Sequence, residues 1–286
     1  MSDNDNQALD TDSSMDNEAL AEAYNRGLKL QKEGDFQGAA EAYRQALELD
    51  PSDPGGVSIR LAAIGAEQSP EKMPDAYVAT LFDQHADIFD EILVDELGYC
   101  VPLLVRDLIQ RLGLGPFERM LDLGCGTGLT GMAVADCTTH RTGVDLSERI
   151  IELAYDRDVY DDLYVGEAVD FLKEFEEEDG SRPAWDLIAA TDVLPYLGAV
   201  EAFLAGAADR LNPKGCLAFS TETLAEEILQ GRPYMVGPKS RFAQGETYIR
   251  TALDRAGFEI LAMDPITVRL EEGVPVPGHL VMARLR

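Results

Sequence analysis

The sequence predicts an α/β protein: a doubly wound, mainly parallel seven-stranded sheet whose last strand runs antiparallel, preceded by an α-helical hairpin. Three observations predict it. Beyond the turn at Gly113 to Pro116, short apolar runs alternate with amphipathic helical stretches. A glycine-rich loop joins the first of these runs to a helix, and residues 19–51 carry apolar side chains at helical spacing on both sides of a Gly34-Asp35 turn. Alternation of strands and helices gives a parallel sheet covered on both faces.

The whole-chain numbers bound the class. With 286 residues and 45% hydrophobic content, the chain can fill one large domain and a small appendage. Its 53 acidic and 24 basic side chains give a formal charge of -29, which argues against nucleic acid as a partner, because that affinity comes from Lys and Arg displacing counterions. The charge by itself reads as solubility or adaptation to a salty cytoplasm. Cys100, Cys125, Cys137 and Cys216 form no CxxC pair, so neither a metal site nor a disulfide framework is expected. The first 25 residues hold no Lys or Arg, and no apolar run approaches the roughly 18 residues of a membrane span. A cytoplasmic protein without membrane association is the expectation.

Residues 1–18 are polar and acidic and read as a disordered tail. Residues 19–64 read as the helical hairpin, with Val57 to Ile64 hinting at a further helix. Gly27, Ala39 and Ala46, with Phe36, Tyr43 and Pro51, sit at the spacing of a tetratricopeptide repeat, which this stretch resembles. A lone repeat must pack on something, so the main domain, a second copy or a partner protein is expected against it. Residues 65–75 read as a linker. Over 76–100 a helical region places Phe82, Ala86, Phe89 and Leu93 on one face, and residues 101–286 form the α/β domain.

In that domain, strands are expected near Arg119 to Leu123, His140 to Asp145, Leu163 to Gly166, Leu187 to Asp192, Cys216 to Thr221, Glu259 to Pro265 and His279 to Leu285. The last two are separated by LEEGVPVPG, too short for a crossover helix, so they should pair antiparallel.

The chemistry is carried by MLDLGCGTGLTGMAVA. Glycines let the backbone turn sharply and approach a ligand, while the following helix offers free amides. Gly126 to Gly131 also satisfies GxGxxG, the weak signature of a nicotinamide site. Asp122 opposes that reading: a carboxylate at this loop repels a pyrophosphate and favours a ligand with a cationic amino-acid tail.

Asp122-x-Gly124-x-Gly126-x-Gly128 resembles the first motif of class I S-adenosylmethionine-dependent methyltransferases. The resemblance implies S-adenosylmethionine as cofactor, S-adenosylhomocysteine as product, a Rossmann-like methyltransferase fold and no metal. It assigns Asp122, Gly124, Cys125, Gly126 and Gly128 to the methionine part. GVDLS places Asp145 on the ribose hydroxyls and Leu146 beside the adenine. YVGEAVDFL places Glu167 and Ala168 at the adenine, and WDLIAATDVLPYLG places Thr191, Asp192 and Tyr196 beside cofactor and acceptor. LNPKGCLAFSTE resembles the family's LxPGG turn, with Lys214 in place of its first glycine.

The combination looks similar to a bacterial group of repeat-containing methyltransferases in which a helix LFDxxAxxFDxxL, here Leu81 to Leu93, precedes the domain. In related enzymes such a helix lies over the pocket as a lid. Asp192, Tyr196 and His85, with Tyr248, are the groups available as catalytic candidates should the acceptor need a base, and Tyr77, Phe82, Tyr196 and Arg241 are the candidate acceptor contacts. In GPKSRFAQGETYIR that group often has His where this chain has Gln244, and an amide does not titrate. The expected activity is methyl transfer to an acceptor, a small molecule before a protein side chain, with positioning as the main catalytic demand. The alternative is a non-catalytic scaffold that binds the cofactor.

Overall fold

The computed structural model describes residues 4–286, with side chains from residue 17 onward. The stretch expected to be disordered lies outside the described residues at 1–3, and a helix, α1 (Asn4–Glu33), already starts within it. The chain divides into two compact units: residues 1–78 with 236–241, and residues 79–235 with 242–286. The boundary therefore falls inside a helix, not at the linker 65–75.

In the first unit α1 packs on α2 (Phe36–Leu49), followed by α3 (Val57–Ala63). Small residues make the close approach possible. Ala23, Ala39, Ala42 and Ala46 are buried with Tyr43, and a methyl added at Gly27 would come within 2.4 Å of the Tyr43 ring. Asp35 caps α2 by accepting the Gly38 amide at 2.9 Å. Asp53, almost fully buried, accepts the Val57 and Ser58 amides at 2.5 and 2.9 Å and so starts α3. Helix α4 (Asp75–His85) begins in this unit and runs into the second.

In the second unit the chain after α4 leaves regular α geometry. It makes a 3₁₀ turn at Ala86–Ile88 and a wide π turn at Glu91–Glu96, within the helical region expected over 76–100. Helix α5 (Val101–Leu112) then leads into β1 (Phe117–Leu123). There follow α6 (Leu129–Ala133), β2 (Thr138–Asp145), α7 (Glu148–Asp156), β3 (Asp162–Val165) and α8 (Ala168–Glu174). The second half runs through β4 (Trp185–Ala190), α9 (Glu201–Arg210), β5 (Leu211–Glu222) and α10 (Glu226–Leu229). The short pair β6 (Tyr234–Val236) and β7 (Phe242–Gln244) comes next, then α11 (Glu246–Arg255), β8 (Phe258–Glu271) and β9 (Val274–Leu285).

All seven expected sheet strands are present, in the order β3-β2-β1-β4-β5-β9-β8. β1 to β5 pair in parallel, and β9 runs antiparallel between β5 and β8. LEEGVPVPG is not a loop but the tip of a long hairpin, turned by Glu272 and Gly273 alone, both at positive φ. The β6–β7 pair had no counterpart in the sequence reading, because three-residue strands carry no usable period.

Two apolar layers cover the sheet. One gathers Leu121, Ile188, Phe203, Phe219, Ile249 and Leu253 beneath α8, α9 and α11. The other gathers Val105, Leu108, Met120, Leu187, Ala218 and Met282 beneath α5. Among the described residues no helix is long and apolar enough to cross a membrane.

Candidate cofactor and acceptor site

The sheet order reverses between β1 and β4, whose Asp122 and Ala189 lie in register. Chains leave these two strands toward opposite faces, which opens a crevice at their carboxyl ends, the place where doubly wound sheets take their ligands. The residues at that edge follow from what each strand end must do.

After β1 the backbone turns through Gly124, Gly126 and Gly128, with φ of 63°, 54° and 102°. Only glycine adopts such angles at little cost in three alternate positions. Beneath this loop Asp122 is fully buried. Its Oδ2 accepts the Tyr160 hydroxyl at 2.6 Å, while its Oδ1 has no hydrogen-bond partner. Burial pushes the Asp122 carboxyl up to about 7, against the lowering effect of the Tyr160 hydrogen bond, and the nearby Asp145 charge adds to the rise. A buried carboxylate with one oxygen unsatisfied suits a cation arriving with the ligand and opposes a diphosphate.

Asp145 closes β2. Its Oδ2 accepts the Gly126 amide and its Oδ1 the Ser147 amide, each at 3.0 Å. Two backbone donors hold the carboxylate in one plane, and each oxygen keeps lone pairs for a neighbouring hydroxyl. Burial raises its pKa while those amides lower it. Leu146 follows, partly exposed.

Other predicted residues are placed differently. Cys125 turns its sulfur toward the sheet, 3.1 Å from where a Gly143 methyl would stand, so only its backbone faces the loop's turn. Glu167 caps α8 through the Asp170 amide at 2.8 Å, and Ala168 is that helix's first residue. Thr191 shares a hydrogen bond with Thr130 at 2.8 Å behind the glycine loop.

Asp192 sits at φ 59°, a strained position for a residue with a side chain. Ser220 accepts its amide at 2.8 Å, and Arg269 Nη1 lies 3.3 Å from its carboxylate. Arg269, fully buried on β8, also pairs with Glu222 at 2.5 Å and Glu271 at 3.0 Å. The arginine thus ties together the ends of β4, β5 and β8. Tyr99, buried beside this group, has its phenol pushed well up by burial first and then by the Asp192 charge. Tyr99, Tyr160 and Arg269 were absent from the sequence-derived site, since no spacing links residues so far apart.

The segment 81–93 covers the crevice through alternate acids and aromatics. Asp83 accepts the Ser147 hydroxyl, Asp87 pairs with Arg149 at 2.8 Å, and Asp90 accepts Thr127 Oγ1 at 2.5 Å while pairing with Arg157. Phe82 meets Tyr196 edge-on at 5.4 Å between centroids, and Phe89 stands 3.5 Å from where a Gly126 methyl would be. Spaced i, i+4 and i+7, the three aspartates lie toward one side of the segment and hold it to α7 and its N-cap on one side and to the glycine loop on the other.

His85 is exposed, with Nδ1 2.8 Å from the Leu81 carbonyl one turn back; its contacts are with its own helix. Tyr77 and Arg241 belong to the first unit, where Tyr77 lies against Gly56. Phe82 and Tyr196 are therefore the two predicted acceptor contacts that the second unit brings together.

The sheet order, the switch-point crevice and the two strand-end carboxylates define the class I methyltransferase fold. Comparison with known proteins agrees. Residues 121–217 match the methyltransferase domain family and residues 23–53 the tetratricopeptide repeat. The ubiquinone biosynthesis O-methyltransferase of Aromatoleum aromaticum is 29% identical over 109 residues, covering 36% of this chain and 44% of that protein. Its Xylella fastidiosa counterpart is 34% identical over 124 residues, covering 41% and 49%. The cyclase SpnF superposes with a TM-score of 0.57 at 16% identity, over 76% of this chain and 98% of that one. The chain spans 41% to 64% of the length of the curated relatives it matches. The chain thus has the class I methyltransferase fold, with a match to the methyltransferase domain over residues 121–217 and to a tetratricopeptide repeat over residues 23–53. Since a protein named a cyclase shares the fold, the reaction has to be argued from the site.

Proposed function

We propose that this protein transfers a methyl group from S-adenosylmethionine to an oxygen of a small-molecule acceptor. The observation that carries the reading is the buried Asp122, with one oxygen unpartnered, beneath three positive-φ glycines and beside Asp145. That set suits a nucleoside with an ammonium-bearing tail. The preference for oxygen draws on the curated relatives, which are named O-methyltransferases.

When bound, the cofactor supplies a sulfonium-activated methyl group, so the chain's own residues have only to bind, orient and exclude water. Asp122 would take the ammonium end, away from the methyl group, and Asp145 the ribose hydroxyls. Phe82 and Tyr196 wall the acceptor side against solvent, and Arg269 holds the Asp192 carboxylate in place at the end of β4.

A cofactor-binding scaffold without turnover is the second reading. It is favoured by the placement of the catalytic candidates, since His85 bonds to its own helix and Asp192 is engaged by Arg269. Two measurements decide. S-adenosylhomocysteine at 100 times its dissociation constant should stabilise the protein by about 2.7 kcal/mol while NAD does nothing. Methyl-labelled S-adenosylmethionine incubated with a panel of phenols, alcohols and amines should then yield labelled product; cofactor binding with no product from any acceptor would establish the scaffold.

A further inference from the structure

Asp145, assigned above to the ribose hydroxyls, is aimed by the two backbone amides it accepts, those of Gly126 and Ser147. The first lies in the glycine loop and the second opens α7, so the carboxylate bridges two loops. The strap at 81–93 reaches the same two loops. Ser147, fully buried, donates its hydroxyl to Asp83 and accepts the Ile150 amide at 3.1 Å. Thr127, nearly as buried and next in sequence to Gly126, donates to Asp90 Oδ1 at 2.5 Å, while Asp90 Oδ2 pairs with Arg157 at the end of α7.

Each amide that holds Asp145 thus belongs to, or adjoins, a residue whose hydroxyl is held by a strap aspartate. Asp87, between those two aspartates, pairs with Arg149 in the open, where the side chains are 76% and 48% exposed. An ion pair so placed contributes little. Charge by itself gives no reason for Asp83 to stand where it does. Burial raises the Asp145 pKa most, the Ser147 and Gly126 amides lower it, and the Asp83 charge raises it again. A second carboxylate opposes the ionised form that accepts ribose hydroxyls, so what Asp83 contributes to ribose binding has to come through the orientation of Ser147.

We propose that Asp83 and Asp90 are positioning residues for the ribose of the cofactor: by fixing the Ser147 and Thr127 hydroxyls they hold the Ser147 and Gly126 amides at the spacing that aims Asp145. This rests on the methyl-transfer reading above. It differs from covering the crevice, because a cover keeps water from the whole ligand and acts whether or not that ligand carries ribose hydroxyls. A clamp on the donors of Asp145 acts on those hydroxyls alone. A carboxylate gains its strength as an acceptor from fixed geometry, and loosening either loop lets its plane turn away from the pair it has to meet.

The test uses the full-length protein and two probes, S-adenosylhomocysteine and its 2′,3′-dideoxy analogue, which differ only in the hydroxyls that Asp145 would accept. Titration calorimetry gives the ratio of their dissociation constants. The unaltered protein should favour S-adenosylhomocysteine by roughly 10- to 100-fold, as hydrogen bonds to a charged group imply. Asp83→Ala and Asp90→Ala should each reduce that ratio by about threefold or more, the size of coupling within one hydrogen-bond network, while the dideoxy analogue binds as before. Asp83→Asn keeps an oxygen for the Ser147 hydroxyl and should restore the ratio, and Asp87→Ala should leave it unchanged. In Asp145→Ala the ratio should fall close to one, and adding Asp83→Ala should lower it no further. Should an alanine variant fail to fold, Thr127→Val, which cuts the Asp90 contact from the loop side, decides with the same expected drop. Equal loss of affinity for both probes would make the strap a cover and overturn the proposal, as would an unchanged ratio in Asp83→Ala and Asp90→Ala, or an equal drop in Asp87→Ala. A ratio close to one in the unaltered protein would remove Asp145 from the ribose and overturn the proposal alone. Failure to bind S-adenosylhomocysteine would overturn the methyl-transfer reading as well.

Discussion

The Tyr160 hydroxyl donates to Asp122 Oδ2 across 2.6 Å, beneath the glycine loop. Tyr160 also fills the space next to Gly128 and Gly131, where a methyl at Gly131 would come within 2.8 Å of its ring. One side chain thus supports the loop and satisfies half of the carboxylate below it.

With its pKa raised to about 7, Asp122 should make the proposed cofactor binding depend on pH. A carboxyl raised on folding contributes stability that is complete below its unfolded pKa and is lost as pH rises through the folded value. The free protein should therefore lose stability between pH 4 and 7 on this account. A ligand ammonium needs the ionised form, so S-adenosylhomocysteine affinity should fall by up to about tenfold per pH unit below 7, with proton uptake by the buffer at pH 6. Calorimetry in two buffers of different ionisation enthalpy checks this. Tyr160→Phe removes a hydrogen bond that favours the ionised form and should move the dependence to higher pH.

Asp145→Asn tests the ribose assignment through geometry. Both oxygens of Asp145 receive backbone amides, so an amide nitrogen at either position would face another donor. The substitution should weaken S-adenosylhomocysteine binding by about 1–3 kcal/mol, measured by titration calorimetry. Unchanged affinity would remove Asp145 from the site.

Arg269→Met would leave Asp192, Glu222 and Glu271 without their shared cation. Removing one partner of a buried ion pair costs roughly 3–5 kcal/mol, and urea unfolding at pH 7 should show a loss of that size. A loss of under about 1 kcal/mol would make Arg269 a packing residue.

Lys214 adopts φ 66° in the turn before the body of β5. A side chain in the left-handed region costs on the order of 1 kcal/mol, so Lys214→Gly should raise the midpoint of thermal unfolding by a few degrees and leave cofactor affinity as it was. Gly27→Ala should act in the opposite sense, because its methyl would overlap the buried Tyr43 ring, a strain of about 1–3 kcal/mol.

The seven strands, their alternation with helices and the cradle of Asp122, Gly124, Gly126, Gly128 and Asp145 were legible in the sequence. Each is a local signal: period, glycine placement and a polar residue closing an apolar run are written within about ten neighbouring residues. The strap at 81–93 was half legible. Its aromatic stripe shows in the spacing, but the partners of its aspartates, Ser147, Arg149, Thr127 and Arg157, stand far along the chain.

Tertiary structure alone decided the rest. It brought Tyr160 to Asp122, Arg269 to three carboxylates from three strands, and Gln244 to the turn beside Tyr196. It also left His85 on the outside of its helix, where chemistry by residue type had made it a candidate base. Apart from Arg269 with Glu271, such pairings join residues tens of positions apart, and burial selects them by demanding partners for the polar atoms it encloses. A chain writes its strands and turns in its neighbours; which distant side chain answers a buried charge is settled only when the sheet has assembled.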